Sequence, residues 1–586
     1  MKQFFKYVLA TITGLFILSV IFVVIFISMV SGLKKGEKAV IDKNSVLVLN
    51  LNYAMGDRTP ENPFEAFASG LSGETGKSIG MYDVIRTIKY AKSDDKVKGI
   101  MLDMTFVGAG YGKLGEIRAA LEDFKTSGKF IYAYGEVFYN QTYYFASVAD
   151  SVFLNPKGSM LFNGMAAEVT FIKQTLAKLG IEMQAIKHGD YKGAVEPLTR
   201  DDLSEQNRYQ IDSYVQSVYG NFIHAIGTSR GIDDSELKAI ANELRVSTPE
   251  KALANKLVDK LAYRDEVVDA IMKRLEIEKS EDLSMIKMAK YYSSLPESEI
   301  ESKDKIAIIY ASGDIVSGNG QSEEIGSDKF AKALKSARED DNIKAVVLRV
   351  NSPGGSALAS DVIWREAFLL KMKKPLIVSM GDVAASGGYY ISCIADSILA
   401  MPNTITGSIG VFGIFPNAEK MLDKLGLHSE YVKTSEYADF GRMDRPLNSK
   451  EIEVFTEVIE KIYADFVGRV SEGRGLSTTY IDSIAQGRVW TGTMAKDNGL
   501  VDVHGGLNDA IAIAAYKAGI EKYRIKAYPK EKNPFEEIFS SFGSTSIKER
   551  ILKSELGENY KVYEQISRLE KLNGIQAIMP FSLSPN

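Results

Sequence analysis

The sequence predicts an α/β architecture with largely parallel sheet, written as two tandem copies behind an N-terminal transmembrane helix. Short apolar strands alternate with helical patterns over most of the 586 residues, as in sheets covered by helices. The pattern repeats at an offset of 246 residues. Gly135-Glu136-Val137, running on to Ala149-Asp150-Ser151, falls on Gly381-Asp382-Val383, running on to Ala395-Asp396-Ser397. Val8 to Val30 is an unbroken run of 23 uncharged, mostly apolar residues, enough to cross a bilayer core.

Taken in order, residues 1–44 form the anchor, with its span at about 8–30. Val30-Ser31-Gly32 could pass for a cleavage site, but the apolar run is too long for a cleaved signal peptide. Lys2 and Lys6 precede the span and Lys34, Lys35 and Lys38 follow it, so charge alone leaves the orientation open. Residues 45–271 form the first copy, with strands at Ser45–Leu51, Val97–Asp103 and Lys129–Tyr134. Residues 305–526 form the second, with counterparts opening at Lys305, Ile343 and Pro375. Leu179-Gly180 recurs as Leu425-Gly426, and Leu257-Val258-Asp259 as Leu500-Val501-Asp502. Residues 272–304 are rich in Glu, Lys and Ser and read as a linker. Residues 527–586 belong to neither copy; their apolar end, Ile575 to Phe581, reads as a packing segment that docks on the body or on a neighbouring subunit.

A formal net charge of −5 gives no electrostatic reason to expect nucleic acid. The single cysteine, Cys393, excludes an internal disulfide and cannot by itself build a zinc site. It falls on Ser147 of the first copy and reads as a buried packing residue.

The copies differ where chemistry would sit. Ser386, before Gly387-Gly388, falls on Asn140. A serine at a strand-to-helix junction can present its hydroxyl to a cleft, but capping the helix is its commoner job. Asn351-Ser352-Pro353-Gly354-Gly355 follows a strand in the second copy only. Such a turn permits close approach of backbone amides to a ligand, as one half of an oxyanion hole requires, or is simply tight. Lys192, in Gly189-Asp190-Tyr191-Lys192-Gly193, falls on Ala438. A lysine serves as a base only where burial lowers its pKa. His188, four residues earlier, is the alternative base. One copy keeps a serine and the other a lysine, which suggests a composite active site.

Tyr191-Lys192-Gly193-Ala194-Val195-Glu196-Pro197, Asn351-Ser352-Pro353-Gly354-Gly355 and Ala385-Ser386-Gly387-Gly388-Tyr389 together resemble the signal peptide peptidase A (protease IV) family in its long, tandem-repeat form. The resemblance runs from the anchor to about residue 520. It implies a ClpP/crotonase-like fold in each copy and a Ser-Lys dyad, with Ser386 as nucleophile and Lys192 as general base. It makes the amides of Gly354 and Gly387 the oxyanion donors, and Ser408, in Thr406-Gly407-Ser408-Ile409-Gly410, a support for the lysine amine. It further implies a homotetramer that degrades cleaved signal peptides, needs no cofactor or metal, and is held in the bacterial inner membrane by one helix with its body on the periplasmic side. A CoA-thioester enzyme of the crotonase kind and a non-enzymatic membrane scaffold are the rival readings. Neither needs a serine in one copy and a lysine in the other.

Overall fold

The computed structural model describes residues 3–4, 6–7, 10–18, 21, 41–59, 79–296, 302–321, 323–529 and 574–578. The expected membrane span, 8–30, lies for the most part outside the described residues; those described within it, 10–18 and 21, are helical and exposed. Among the described residues, no helix is long and apolar enough to cross a membrane.

Each copy builds its own sheet, parallel throughout in the first and parallel in the second except where Ile405–Gly407 pairs antiparallel with Val489–Thr491. In the first, the strands run in the order Lys260–Leu261, Ser151–Met160, Phe130–Phe138, Val97–Asp103, Ser45–Leu49 and Ser284–Lys287, all parallel. In the second, Leu376–Ala385, Ile343–Ser352, Lys305–Ser312 and Arg524–Tyr528 repeat the order of the first copy's Phe130, Val97, Ser45 and Ser284 strands. Both central strands are continuous apolar runs, because helices cover both faces. The helices repeat too: Met81–Ser93 matches Ser327–Glu339, and Tyr111–Lys125 matches Ala357–Lys371, at the offset read from the sequence.

The structure departs from the sequence reading at both copy boundaries. The stretch expected as a linker contributes Ser284–Lys287, which pairs with Ser45–Leu49 and closes the first sheet. Arg524–Tyr528 closes the second in the same way, across the expected boundary at 527. Both are short edge strands, too brief to stand out as apolar runs among charged neighbours.

The copies are locked together by Arg349, fully buried on the strand Ile343–Ser352. Its Nε donates to Asp57 Oδ1 at 2.9 Å and its Nη2 to Glu116 Oε1 at 2.7 Å, both on the first copy. Its Nη1 donates to Ser379 Oγ and the Met380 carbonyl of its own copy. Beside it, Lys113 Nζ lies 3.9 Å from Asp57 and 3.6 Å from Asp382.

A third sheet is assembled from both copies and the tail. Its order is Glu324–Gly326, Asp314–Val316, Gly354–Ser356, Gly574–Ile578, Phe412–Asn417 and Glu182–Lys187. The last of these belongs to the first copy and pairs antiparallel with Phe412–Asn417 of the second.

Candidate active site

That antiparallel pairing delivers the lysine. The chain leaves Glu182–Lys187 with His188 N–H donating to the Val411 carbonyl at 3.0 Å, and Tyr191 N–H to the Gln486 carbonyl at 3.1 Å. Lys192 follows, then a single 3-10 turn at Gly193–Val195. Asn207 packs directly under Gly193, where a side chain would collide with its amide. Gln210 Nε2 donates to the Tyr191 carbonyl at 2.8 Å, while Gln210 Oε1 accepts from Val489 N–H at 3.1 Å, so one side chain ties the lysine loop to the second copy.

Ser386 stands at the end of the strand Leu376–Ala385, directly before the helix Gly387–Ser392. Its φ of 54° and ψ of −114° are sparsely populated for a residue with a side chain and cost about 1–3 kcal/mol. The turn is held by Ser386 N–H donating to the Gly407 carbonyl and by Tyr390 N–H donating to the Ser386 carbonyl, each at 2.8 Å. The Ser386 hydroxyl makes no capping bond to the helix.

Instead Lys192 Nζ lies within hydrogen-bond distance of Ser386 Oγ, at 2.8 Å, where the lone pair of a neutral amine accepts the serine O–H. The same amine donates to Ser408 Oγ and to the Ser408 carbonyl, each at 3.0 Å. All three residues are fully buried. Ser408 adopts a φ of 51°, which turns both its oxygens onto one amine. Burial alone drives the Lys192 amine well below its ordinary value of 10.5, because the charged form is the one that loses its hydration. A neutral amine hydrogen-bonded to a serine hydroxyl can accept its proton, the arrangement of an activated nucleophile.

The remaining expected residues meet at the same place. A Cβ on Gly354 would come 2.8 Å from Gly387 N, so the absence of a side chain at Gly354 leaves the space beside the Gly387 amide open. Gly354, at φ 108°, gives its own N–H to Ser352 Oγ at 3.1 Å, and Gly355 N lies 3.1 Å from where a Cβ on Gly387 would stand. His188 is placed elsewhere: its Nδ1 lies 2.8 Å from both Glu460 carboxylate oxygens and its ring stacks on Tyr463. In the first copy, Phe162 occupies the position of Ser408, fully buried against Tyr143 and Phe222. Asn140, in place of Ser386, donates to Asn163 and to the Gly164 carbonyl.

Several residues that shape the site were given no role of their own in the sequence reading. Gly487, at φ 79°, abuts Lys192 so closely that a Cβ would stand 2.7 Å from its N, Cα and Cβ. Gly410 approaches the Lys192 Cδ, and its carbonyl accepts from Ser386 Oγ at 3.5 Å. Gln210 and Asn207 lie on the long helix Glu205–Arg230. The second copy's helix Ser449–Arg474, equal in length, could have prompted a search for residues differing between the two. Among the described residues, no cluster of His, Cys, Asp and Glu is arranged to hold a metal ion.

The family model for peptidase family S49 matches this chain twice, over residues 123–278 and 369–521. The chain belongs to peptidase family S49. The first match contains Lys192 and the second Ser386, and the chain is a serine peptidase of this family with its domain duplicated. It is 36% identical over 508 residues to Protease 4 of Haemophilus influenzae, an alignment covering 84% of this chain and 82% of that protein. It is 33% identical over 530 residues to the chloroplastic serine protease SPPA of Arabidopsis thaliana, covering 88% and 76%. Among solved structures, a ClpP1 mutant of Listeria monocytogenes aligns with 35% of this chain and 94% of its own at 19% identity, with a TM-score of 0.24.

Proposed function

We propose that this serine peptidase works through a Ser386–Lys192 dyad split between its two copies, 45–271 and 305–526. The observation that carries the reading is the 2.8 Å hydrogen-bond contact between Lys192 Nζ and Ser386 Oγ, both fully buried. Neutral Lys192 takes the proton of Ser386 as its oxygen attacks a peptide carbonyl. The amides of Gly387 and of the Gly354-Gly355 turn hold the tetrahedral oxyanion, with Gly354 N–H exchanging Ser352 Oγ for it. Lys192 gives the proton to the leaving amine, then accepts one from the water that hydrolyses the ester. Ser408 keeps the amine aimed throughout.

The substrates are extended, apolar peptides, and cleaved signal peptides left in the membrane fit that description. Support for an extended peptide comes from the strands Gly354–Ser356 and Phe412–Asn417, which both pair antiparallel with one extended segment, Gly574–Ile578, lying between them. Peptides bound by strand addition are read through their backbone. The apolar run at 8–30 anchors the protein in the bacterial inner membrane, with its body on the periplasmic side, where such peptides are released. A homotetramer and the absence of a cofactor requirement complete the reading by family resemblance.

The test is intact-mass labelling with a serine-directed fluorophosphonate, run beside Ser386→Ala and Lys192→Ala. One adduct on Ser386, lost in both variants, is expected. An adduct that persists in Lys192→Ala removes the lysine from the mechanism, and its absence from folded wild-type protein removes the serine. Recovery of the full chain in the soluble fraction after membrane sedimentation would refute the anchor.

A further inference from the structure

We infer that Arg488 is a positioning residue for the general base: its guanidinium, carried by the second copy, grips the Tyr191 ring of the first, while its carbonyl fixes Ser408. One residue thereby sets where Lys192 stands against both serines. The inference rests on the Ser386–Lys192 reading above and adds to it the group that holds the base in place.

The repeat singles Arg488 out. Arg245-Val246 in the first copy recurs as Arg488-Val489 in the second. Arg245 makes ordinary surface ion pairs, its Nη1 donating to Glu236 and its Nε to Glu243, each at 2.8 Å. The second copy holds no counterpart of either acid. Between Gly475 and Arg488 the one carboxylate is Asp482, and it accepts from the Tyr463 hydroxyl at 2.6 Å and from Gln486 Nε2 at 2.8 Å. Among the described residues, no carboxylate pairs with Arg488. Its guanidinium carbon lies instead 4.2 Å from the centre of the Trp490 ring, 5.2 Å from that of Tyr191 and 5.3 Å from that of Tyr209. Two of these rings come from the other copy, and a planar guanidinium stacks on such faces as an ammonium does not.

Both ends of this contact are tied to the site. Trp490 packs over Gly407, where a Cβ would stand 2.6 Å from its Cδ1, and its Nε1 donates to the Ile484 carbonyl at 2.9 Å. Tyr191 immediately precedes Lys192. Its N–H donates to the Gln486 carbonyl and its own carbonyl accepts from Gln210 Nε2, so the peptide is held at both atoms and Arg488 holds the ring. The Arg488 carbonyl accepts from Ser408 N–H at 2.7 Å, and Ser408 supplies the two acceptors that aim the Lys192 amine. A stack that merely sealed the copy junction could fall anywhere along it. This one falls on the residue before the base and, through the backbone, on the residue that aims it. Released from Arg488, the Tyr191 ring is free to swing toward solvent, and water gains a path to the amine.

The experiment is the pH profile of kcat and kcat/KM for an apolar reporter peptide, with a thermal melt of each sample. The full-length proteins are wild type, Arg488→Met, Arg488→Lys, Tyr191→Leu and the double variant of Arg488→Met with Tyr191→Leu, beside Lys192→Ala. Arg488→Met is expected to lose about tenfold in kcat with KM held, because a displaced lysine loses rate and not substrate. Its acid limb moves to higher pH, since water on the amine favours the charged form. Arg488→Lys falls between, keeping the charge but not the flat stack. Tyr191→Leu keeps the charge and loses the contact, so its limb moves as well, and the double variant is no worse than the worse single one. Arg488→Met with the kcat and acid limb of wild type overturns the inference, as does additive loss in the double variant. A loss of rate with an unmoved limb overturns it too, because Arg488 then only stabilises the fold. Should Arg488→Met not fold, Tyr191→Leu reads the same contact from the first copy, and an unmoved limb there is equally fatal. Wild-type turnover by Lys192→Ala takes down the dyad reading together with this one. An inactive Lys192→Ala beside an unimpaired Arg488→Met removes this one alone.

Discussion

Replacing Gly487 by alanine tests whether activity depends on where the second copy holds Lys192. Gly487 lies at φ 79°, and the added methyl carbon would stand 2.7 Å from Lys192 N, Cα and Cβ. A residue with a side chain in that left-handed region costs about 1–2 kcal/mol. Carbon contacts are comfortable from about 3.5 Å, so relief requires the lysine backbone to retreat by nearly 1 Å. A misplacement of about 1 Å in a catalytic group costs roughly a hundredfold in rate. Gly475→Ala supplies the control, since Gly475 has a similar φ of 67° and nothing within 4 Å of its missing Cβ. Gly487→Ala is therefore expected to lose at least as much thermal stability as Gly475→Ala, and it alone loses about two orders of magnitude in kcat/KM. The assay is steady-state peptide hydrolysis beside a thermal melt. A Gly487→Ala enzyme within about threefold of the Gly475→Ala enzyme would refute the reasoning, because the lysine would then tolerate displacement.

Lys192→Arg is expected to be as inactive as Lys192→Ala, because a guanidinium stays protonated and cannot act as a base; measurable turnover would refute general-base catalysis at this position. The buried amine also makes stability depend on pH. Its folded pKa lies well below the unfolded 10.5, so between those two values the unfolded chain binds the extra proton. The folded state therefore gains stability as pH rises through that window. Wild type should gain on Lys192→Met in denaturation midpoint as pH approaches 10.5, and a constant difference would mean the amine is not buried neutral. Ser408→Ala removes one acceptor at 3.0 Å and keeps the carbonyl; kcat/KM should fall about tenfold, the worth of one buried hydrogen bond, with the acid limb moved to lower pH. Arg349→Met strands Asp57 and Glu116 in the interior and should destabilise the chain by about 3–5 kcal/mol, read as a large drop in urea midpoint.

How much of this was legible in the sequence follows from which interactions repeat. The central strands and the flanking helices are continuous apolar or amphipathic patterns, and the duplication printed each of them twice, so they were readable from periodicity. Ser386 and Lys192 were readable because their counterparts, Asn140 and Ala438, broke the repeat. What brings them together was not. The pairing of Glu182–Lys187 with Phe412–Asn417 joins short segments far apart in the chain, and no local pattern encodes a register between them. Gly487 and Gly410 are needed because Lys192 packs on their backbones, a requirement that arises only after the copies dock. The edge strand Ser284–Lys287 was hidden for the same reason, since it owes its conformation to Ser45–Leu49.

The division of the site between copies makes basicity itself a product of docking. Lys192 has no carboxylate among the causes of its shift; burial alone lowers it. The atoms that bury it come largely from the second copy: Gly487 against its backbone, Gly410 against its side chain and Ser408 on its amine. A first copy standing alone would leave this lysine in water, protonated and inert at neutral pH. A second copy standing alone would hold Ser386 in its strained turn with no base. Loosening the interface should therefore silence the peptidase before it unfolds either copy, because water need only reach the amine. The Arg349 cluster is the buried link best placed to test this. In a graded urea series at neutral pH, activity should vanish at lower denaturant than the helical signal. Raising the pH should restore part of the lost activity by deprotonating the newly hydrated amine. Coincident loss of activity and helix, insensitive to pH, would show that the copies never separate without unfolding.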